Sequence, residues 1–483
     1  MTHDSFQAFG LSDEIVRALN ELNMTMPTDV QKQVIPLAME NKDVLVTSQT
    51  GTGKTASYAI PICDTVDWEE NRPQALILSP TRELAVQIQE DITNIGRFRR
   101  IKATALYGQE PVNKQKLELK QKTHVVVGTP GRVLDHIKKG TLMLNRIEHL
   151  VIDEADQMLD MGFIDQVEAI LASLPKERTT SLFSATMRNE IRALAGRHMN
   201  APDQIAIKQE TVAADTIDQS VIHVTNKEKL QLLQDVTVVE NPDSCLIFCN
   251  TQESVDLLET SLNKEGYRAR KIHGGLPQKE RFSVMEAFKR GSFRYLIATN
   301  VAARGIDIDS VSLVINYDVP FEKESYVHRT GRTGRAGKAG KAITFVNNRE
   351  KSAIRELERY TGIIIPLAKA PSPDEVKRAR NTFYEKLNTA PVRKEKKSAN
   401  LNKEIMTLYV NGGKKKKLRA PDFVGTLTSI DGIDADDIGI ITIQETSTTI
   451  DIFNGKGPLA LKELKERTVK GKRLKVREAR NRS

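Results

Sequence analysis

Short apolar runs that end in polar or glycine-containing clusters are the feature that most constrains how this chain folds. In the first two hundred residues they lie at Val44–Val46, Ala75–Leu78, Val125–Val127, Leu150–Ile152 and Ser181–Phe183. A short, continuously apolar run is typical of a parallel strand buried on both faces. Helical patterns, such as that of residues 83–95, separate the runs. We therefore predict a parallel sheet whose functional residues collect beyond the carboxyl ends of its strands.

The same pattern starts again after Ala201-Pro202. The second series of runs lies at 246–248, 271–272, 296–298, 313–315 and 343–346. Only the first series is accompanied by a phosphate-binding loop. The pattern predicts two tandem α/β domains, at residues 1–205 and 206–368, with a nucleotide held in a cleft between them.

A third, smaller domain is expected at the carboxyl end of the chain. Residues 369–402 are rich in Pro, Lys and Glu, which predicts a linker that is partly helical at Asp374–Leu387. Beyond it we predict strands and helices at 405–410, 421–429, 438–443, 448–453, 458–467 and 474–476. This βαββαβ order is ferredoxin-like and is shared with RNA-recognition domains, which places the third domain at 403–483.

Charge is distributed unevenly along the chain. From Asp374 to the end there are 25 Lys and Arg against 15 Asp and Glu, whereas the rest of the chain has a net charge of −1. A basic appendage on a near-neutral body indicates attachment to a polyanion, most simply nucleic acid. The alternative is a solvated tail that only improves solubility.

Composition also bears on the cellular location. No apolar run approaches the length that spans a membrane, and the first residues do not have the pattern of a secretion signal. The cysteines, Cys63, Cys245 and Cys249, form no CxxC pair, and the last two flank an apolar run. We expect reduced thiols that pack as small hydrophobic residues, in a cytoplasmic protein with no membrane partner.

The segment Ser48–Thr55 reads as a phosphate-binding loop between a strand and a helix. Its backbone amides can surround phosphates, Lys54 would reach the outer phosphates, and Thr55 would bind Mg²⁺. The first glycine of the general pattern is replaced by Ser48. The sequence therefore predicts a nucleotide site here from an incomplete match to the consensus.

Asp153-Glu154-Ala155-Asp156 follows the apolar run 150–152 and would lie opposite the phosphate loop. Asp153 is predicted to hold Mg²⁺ through water, and Glu154 to orient and deprotonate the attacking water. Two carboxylates divide this work because one stays ionised on the metal while the other accepts a proton. The alternative is an acidic helix N-terminus, where Asp and Glu are favoured in any case.

The segment 328–335 of the second domain contains two arginines, Arg332 and Arg335, separated by glycine and threonine. Both guanidinium groups could approach one phosphate, and phosphoryl transfer requires such positive charge. Because they belong to the second domain, hydrolysis would depend on domain closure. A solvated basic loop is the alternative.

With these motifs in order from Phe6 to about Phe345, the chain resembles the DEAD-box RNA helicases. The resemblance implies two tandem RecA-like domains and ATP with Mg²⁺ as cofactors. It implies ATP contacts from Phe6, Gln31, Thr50, Gly51, Thr52, Gly53, Lys54, Thr55 and Asp307, with Gln31 on the adenine edge and Asp307 on the ribose. Thr55 and Asp153 would hold the metal, and Lys54, Asp153, Glu154, Arg332 and Arg335 would be catalytic.

The same resemblance implies an RNA surface and residues that couple hydrolysis to unwinding. The implied RNA contacts are Pro80, Thr81, Arg82, Thr129, Arg132, Gly274, Arg281 and Thr299. The implied coupling residues are Ser184, Thr186 and His328. The sequence departs from the family pattern at Asn23-Met24, where Met24 replaces the usual adenine-stacking aromatic residue, at Gly108-Gln109 and at Asn300.

The last domain resembles the appended domain of the DbpA/YxiN subfamily, through residues 408–413, 420–425 and 436–439. This resemblance implies binding to a hairpin of large-subunit (23S) ribosomal RNA and a role in assembly of the large subunit. Stacking aromatics are sparse, with only Tyr409 and Phe453 on predicted strands. We therefore expect contacts from basic edges and loops: Lys414, Lys415, Lys416 and Lys417, with Arg419, Lys470, Lys472, Arg473 and Lys475 as further candidates.

The sequence thus predicts a monomeric, ATP-dependent RNA helicase whose ATPase is stimulated by RNA. A non-enzymatic RNA-binding assembly factor with a decayed motor is one alternative, which the intact catalytic groups disfavour. A DNA translocase of the same superfamily is another, which the adenine-reading segment and the RNA-type tail disfavour.

Overall fold

The computed structural model describes residues 5–48, 51–207, 217–299, 311–334, 339–389, 391 and 404–479. Thr50, Asn300, Asp307 and Arg335 lie outside the described residues. The chain forms two compact units: one contains the described residues up to Ile207 together with those from 404 onward, and the other contains those from 217 to 391. Across these ranges, no helix is long and apolar enough to cross a membrane.

The first unit is built on a seven-stranded sheet with the order β3-β4-β2-β5-β6-β1-β7. Every neighbouring pair in it is parallel. Its strands are β1 Val44–Thr47, β2 Ala75–Leu78, β3 Ala103–Leu106, β4 Val125–Gly128, β5 His149–Ile152, β6 Thr179–Ser184 and β7 Asp203–Ala206. Its helices are α1 Asp13–Glu21, α2 Asp29–Met39, α3 Lys54–Thr65, α4 Arg82–Ile95, α5 Val112–Leu119, α6 Pro130–Lys138, α7 Ala155–Asp160, α8 Ile164–Leu171 and α9 Asn189–His198.

The central strands are buried because helices cover both faces of the sheet, and β2 and β4 are almost entirely apolar. Successive residues point to opposite faces, so that Ile77 and Val125 pack with α1 to α4, while Leu76 and Val126 pack with α6 to α9. The strands predicted here are confirmed. β3 and β7 were missed because they are edge strands and carry polar residues within short segments.

The second unit repeats this architecture with the order β10-β11-β9-β12-β13-β8-β14. Its strands, again all parallel, are β8 Ile217–His223, β9 Cys245–Cys249, β10 Arg270–Ile272, β11 Tyr295–Thr299, β12 Leu313–Asn316, β13 Gly340–Val346 and β14 Leu367–Ala368. Its helices are α10 Lys229–Glu240, α11 Gln252–Lys264, α12 Gln278–Lys289, α13 Lys323–Thr330, α14 Lys351–Thr361 and α15 Pro373–Asn388. The two cysteines of β9 are buried, as expected.

Helix α15 corrects the predicted linker at 369–402. Ser372 and Glu375 form a capping box at its start, and Pro373 occupies its first turn. Its apolar face, including Val376, Phe383 and Leu387, is buried in the core of the second unit. The helix therefore belongs to the second unit, and only the residues after it connect to the last domain.

The carboxyl-terminal domain has the predicted βαββαβ order. Its antiparallel sheet has the order β16-β17-β15-β20. The elements are β15 Met406–Val410, α16 Ala420–Thr428, β16 Ile438–Ile443, β17 Thr448–Ile452, α17 Gly457–Glu466, β18 Thr468–Val469, β19 Lys472–Arg473 and β20 Val476–Glu478. The short hairpin β18–β19 was not predicted, and the last strand begins at Val476, two residues later than predicted, although Leu474 is also buried in the core.

Candidate nucleotide and RNA sites

The phosphate loop lies between β1 and α3 and depends on two glycines with left-handed backbones. The φ angles of Gly51 and Gly53 are 86° and 92°. A Cβ atom at Gly53 would lie 2.6 Å from Gln31 Nε2 and 2.9 Å from Thr28 Oγ1. Both these close contacts and the positive φ angle therefore disfavour a side chain at this position. Lys54 opens α3 and is buried, with Nζ donating to the carbonyl oxygen of Ser48 at 3.0 Å. A helix N-terminus and an ammonium group together form an anion site.

Gln31 supports this loop from helix α2. Its Nε2 donates to the Gly53 carbonyl oxygen at 3.2 Å, and its Oε1 accepts from Thr28 N at 2.9 Å. Phe6, the other predicted adenine contact, is buried in the core of the first unit, where Met24 packs against the same cluster. In this structure, therefore, Gln31 braces the phosphate loop and Phe6 acts as a core residue.

Asp153 lies at the carboxyl end of β5 and is almost completely buried. Its Oδ2 accepts a hydrogen bond from the Tyr58 hydroxyl at 2.8 Å. Burial raises the pKa of this carboxyl group, while the positive charge of Lys54 opposes that rise. Among the described residues no donor reaches Asp153 Oδ1, and a buried carboxylate oxygen requires a cation or water. The site therefore fits Mg²⁺.

The remaining ligands of such an ion would come mainly from outside the protein. The described residues contain no group of three or more His, Cys, Asp or Glu side chains that could hold a metal. Thr55, the second residue of α3, and Asp153 are the two predicted ligands. Mg²⁺ usually keeps several waters and takes the rest of its oxygens from one or two protein groups and substrate phosphates, which matches this small set.

Glu154 and Asp156 have different structural roles beside Asp153. Glu154 has a left-handed backbone, with φ 54° and ψ 52°, at the start of α7. Asp156 Oδ2 accepts from the backbone amides of Ala185 and Thr186 at 3.0 and 2.9 Å. Ser184 Oγ also donates to the Thr186 carbonyl oxygen at 2.6 Å. The quartet is thus fastened directly to the predicted coupling segment.

The predicted RNA contacts of the first unit follow two neighbouring strands, β4 and β2, beside the turn that follows β3. Thr81 Oγ1 accepts from Leu84 N at 3.3 Å and caps α4. Arg132 donates to the Glu110 carbonyl oxygen at 2.8 Å, and a Cβ atom at Gly108 would lie 3.1 Å from Arg82 Nη2. Both arginines therefore reach the same turn after β3. The predicted nucleotide motifs follow β5 and β1, and the predicted coupling segment follows β6 between them, so the sheet edge is divided into two adjacent halves.

In the second unit the predicted RNA residues follow β10 and β11. Gly274 is exposed after β10, and Thr299 is buried at the end of β11. His273 Nδ1 accepts from Gly275 N at 3.2 Å, which fixes the turn around Gly274. Arg281 lies in the first turn of α12, where its Nη1 is 3.5 Å from Gln278 Oε1.

The arginine segment of the second unit is anchored by a residue that was not predicted. Arg329 is buried and donates to Asn250 Oδ1 at 2.9 Å and to the Asp318 carbonyl oxygen at 2.8 Å. These acceptors follow β9 and β12, so Arg329 joins two strand ends. Arg332 is also buried, and its Nε donates to the His328 carbonyl oxygen at 3.2 Å. The segment is therefore a fixed turn, which excludes the alternative of a solvated basic loop for this part of it.

The carboxyl-terminal domain gathers lysines at one edge. Residues 414–417 form a turn, and Lys470 Nζ donates to the Lys417 carbonyl oxygen at 3.0 Å. Lys472 Nζ bonds to the Lys416 carbonyl oxygen. We call Lys414–Lys417, Lys470 and Lys472 the basic edge. On the outer face of the sheet, the Arg477 guanidinium covers Tyr409, 4.4 Å from the ring centroid, whereas Phe453 lies beyond the end of β17 and is buried.

Comparison with known families identifies the domains in which these residues lie. Residues 28–194 match the DEAD/DEAH box helicase family, residues 228–337 the helicase conserved C-terminal domain, and residues 407–478 the DbpA RNA binding domain. The chain belongs to the DEAD-box family of ATP-dependent RNA helicases. It is therefore an RNA-stimulated ATPase and helicase.

Two curated helicases and one solved structure show how far the similarity extends. The ATP-dependent RNA helicase DbpA of Bacillus subtilis (strain 168) is 59% identical over 479 residues, which cover 99% of this chain and 100% of that protein. The DEAD-box helicase CshA of Geobacillus kaustophilus is 45% identical over 371 residues, 77% of this chain and 79% of that protein. The structure of S. cerevisiae Dbp5 bound to RNA and ADP BeF3 is 32% identical, with a TM-score of 0.71, and the match covers 80% of this chain and all of that one.

Three residues of this DEAD-box helicase escaped the sequence analysis: Tyr58, Asp156 and Arg329. Each of them acts through a contact with a residue far along the chain, such as the hydrogen bond from Tyr58 to Asp153. Asp156 and Arg329 carried a signal, since both belong to motifs already singled out, whereas Tyr58 carried none. The spacing of the motif does not show what an acidic side chain at that position contacts.

Proposed function

We propose that this helicase remodels short duplexes of large-subunit ribosomal RNA, guided by its last domain to a hairpin of 23S rRNA. The observation that carries the proposal is a DbpA-type RNA-binding domain whose lysines form one basic edge. The full-length similarity to DbpA supports it. We further propose that the protein acts as a monomer in the cytoplasm.

We propose that ATP binds with its phosphates at the N-terminus of α3. Lys54 neutralises the outer phosphates, and Asp153 and Thr55 hold the ion. When bound, Mg²⁺ supplies positive charge that stabilises the developing charge on the phosphates. Tyr58 fixes one oxygen of Asp153, the other oxygen would be available to hold Mg²⁺ through water, and Glu154 would take the proton of the attacking water.

The other predicted ATP contacts belong to the same proposal. Gln31 contacts the base from the position in which it now braces Gly53, and Phe6 shapes the base site from within the core. Thr50, Gly51, Thr52 and Gly53 surround the phosphates. Asp307 contacts the ribose, and Arg332 and Arg335 supply charge to the outer phosphate during hydrolysis.

We propose that RNA contacts the half of the first sheet edge formed after β3, β4 and β2. Pro80, Thr81, Arg82, Thr129 and Arg132 would bind the backbone. In the second unit, Gly274, Arg281 and Thr299 would do the same, and His328 would couple hydrolysis to RNA binding. Ser184 and Thr186 would transmit the state of the nucleotide, since Asp156 fastens their segment to the quartet.

The decisive experiment measures ATP turnover by the full chain with a 23S rRNA fragment that contains the hairpin, with poly(A), and without RNA. We expect the fragment to stimulate turnover most strongly. Equal stimulation by poly(A) would refute the proposed ribosomal target. Lys54→Ala serves as the control for the nucleotide site and should abolish turnover with every RNA, so that residual turnover in this variant would exclude the role given to Lys54.

A further inference from the structure

The first unit contains a contact between its helicase domain and the carboxyl-terminal domain. On the helicase side it consists of Arg17, from α1, and the turn 97–100 that follows α4. On the other side it consists of Glu404, the segment 435–438, Asp451 and Phe453-Asn454. We call the helicase side the arginine turn.

Arg100 makes the most directional part of the contact. Its Nε donates to the carbonyl oxygen of Ile438 at 2.8 Å, and its Nη2 donates to that of Ala435 at 2.6 Å. These carbonyl groups lie where a short 3₁₀ helix meets the edge strand β16. Hydrogen bonds from a charged donor are worth more than neutral ones, and two from one guanidinium group fix both distance and angle.

An aromatic pair forms the apolar part of the contact. The rings of Phe98 and Phe453 meet edge to face, with centroids 5.2 Å apart and an interplanar angle of 67°. The guanidinium carbon of Arg17 lies 4.1 Å from the centroid of Phe98, and its Nη2 donates to Asn454 Oδ1 at 3.0 Å. Edge-to-face pairs and cation–π contacts each stabilise an interface beyond the area they bury.

The charges on the two sides are complementary. Arg17 lies 3.5 Å from Glu404, Arg100 lies 3.7 Å from Asp436, and Arg97 is close enough to Asp451 to lower the pKa that burial of this carboxyl group raises. Arginines therefore meet carboxylates at three places. Such matching favours one partner over others.

Gly439 shows that the carboxyl-terminal domain is shaped for this contact. A Cβ atom at that position would lie 2.4 Å from the Phe453 ring and 3.0 Å from Asp451 Cβ. Only glycine therefore lets the ring lie across β16, where Phe98 meets it. This accounts for an aromatic residue that the sequence offered as a possible base-stacking group.

We propose that the arginine turn is a docking site for the carboxyl-terminal domain. The end of the sheet formed by β16 and the residues after β17 is then a protein contact surface and not an RNA surface. Docking leaves the basic edge as the RNA-binding part of the domain and fixes its position on the first helicase domain. The inference is independent of which RNA the helicase recognises.

Hydrogen exchange of the full-length protein, followed by mass spectrometry, tests this docking. Arg100→Asn removes the two hydrogen bonds while tolerating the left-handed backbone at this position, where φ is 60°. Lys122→Asn is the matched control, because Lys122 and Arg100 both stack on Trp68 but only Arg100 has a described contact with the carboxyl-terminal domain. We expect Arg100→Asn to speed exchange of residues 435–439 and 451–454 by about tenfold, and Lys122→Asn to leave it unchanged.

Arg17→Ala provides a second, independent variant on a regular helix. It removes the contacts with Phe98, Asn454 and Glu404, and we expect it to speed exchange in the same two segments. If Arg100→Asn also speeds exchange in the core strands β2 and β5, that variant has disturbed the helicase domain itself, and Arg17→Ala decides. Unchanged exchange of 435–439 and 451–454 in Arg17→Ala overturns the proposal.

Discussion

Glu154 shows how a single residue can be held in an unfavourable conformation at a functional site. A side chain with a left-handed backbone costs about 1–2 kcal/mol relative to the right-handed conformation. Its φ of 54° accompanies a sharp change of direction, because only Asp153 and Glu154 separate the end of β5 from the start of α7. Such strain persists where the surrounding structure fixes it, and it is common at catalytic positions.

The Glu154→Gly protein should therefore be more stable than the Glu154→Ala protein. Both Glu154→Gly and Glu154→Ala remove the carboxylate, but only glycine adopts a positive φ without steric cost. After allowance for the greater freedom of glycine in the unfolded chain, we expect Glu154→Gly to be more stable by about 0.5–1 kcal/mol. Denaturant unfolding, followed by the fluorescence of Trp68 in the same unit, measures the difference.

The same pair of substitutions at Glu356 is the control. This residue is exposed within helix α14, where alanine should be the more stable by about 1 kcal/mol. That control is followed by circular dichroism, because Trp68 lies in the other unit. If alanine is favoured at both positions, the backbone strain at Glu154 does not contribute to stability.

At the scale of elements, one buried histidine precedes β4 and another begins β5, and burial favours the neutral form of both. His124 precedes β4, and its Nδ1 accepts from Lys102 N at 2.9 Å. A backbone amide is always a donor, so this nitrogen carries no proton, and Nε2 donates to the Trp68 carbonyl oxygen at 3.0 Å. Burial lowers the pKa of His124 to about 4, and burial does the same for His149 at the start of β5.

Acidification should destabilise the first unit through these histidines. In the unfolded chain their pKa is about 6.5, so the unfolded state binds more protons between that pH and about 4. Their stabilising contribution is complete above about pH 6.5 and falls as the pH drops. At pH 5.5 each should have lost about 1 kcal/mol relative to neutral pH.

Urea unfolding at pH 7.5 and 5.5, followed by Trp68 fluorescence, tests this dependence. His124→Asn keeps an acceptor for Lys102 N but does not titrate. Its loss of stability between the two pH values should be smaller than that of the parent chain by about 1 kcal/mol. An identical loss in both proteins would show that His124 does not titrate as its contacts require.

At the scale of the whole molecule, the charge of the chain separates a near-neutral body from a basic end. The chain has a net charge of +9. The residues before Asp374 carry −1, and the residues from Asp374 onward carry +10. Six of the lysines in that part form the basic edge. Neutralisation of phosphates releases counterions, so such an edge makes RNA affinity strongly dependent on salt.

Replacing Lys414, Lys415, Lys416 and Lys417 by serine should reduce this dependence. If each lysine neutralises one phosphate, the slope of log affinity against log salt should decrease in magnitude by about 3. The measurement is a titration of the hairpin fragment over a range of salt concentrations. Lys462→Ser with Lys465→Ser, on the exposed face of α17, is the control and should leave the slope unchanged. An equal slope in the parent and the variant of residues 414–417 would contradict this use of the basic edge.

The elements that could be predicted from the sequence are those with a clear pattern within their own few residues. Most central strands could be predicted because burial on both faces favours runs of apolar residues, whereas β3 and β7 lie at the sheet edges and include Thr104 and Gln204. Helix α15 was placed in a linker because its polar face dominates its composition, although Phe383 and Leu387 bury the other face.

The residues of the nucleotide site also fall into those that a local pattern predicts and those that it does not. Lys54, Asp153 and Glu154 could be found because phosphate loops and strand-end carboxylates have fixed local patterns. Tyr58 and Arg329 could not, because their partners lie far away in the chain and only the folded sheet brings them together. The left-handed backbone of Glu154 likewise depends on how β5 meets α7.

Strand β5 occupies the boundary between the two halves of the first sheet edge, because it pairs with β2 on one side and β6 on the other. The quartet at its end therefore borders both the proposed RNA half and the nucleotide half. Thermodynamic linkage makes any influence across this boundary reciprocal: if RNA tightens ATP binding by some factor, ATP tightens RNA binding by the same factor. A substitution at Asp156 should thus weaken both effects equally, whichever ligand is varied.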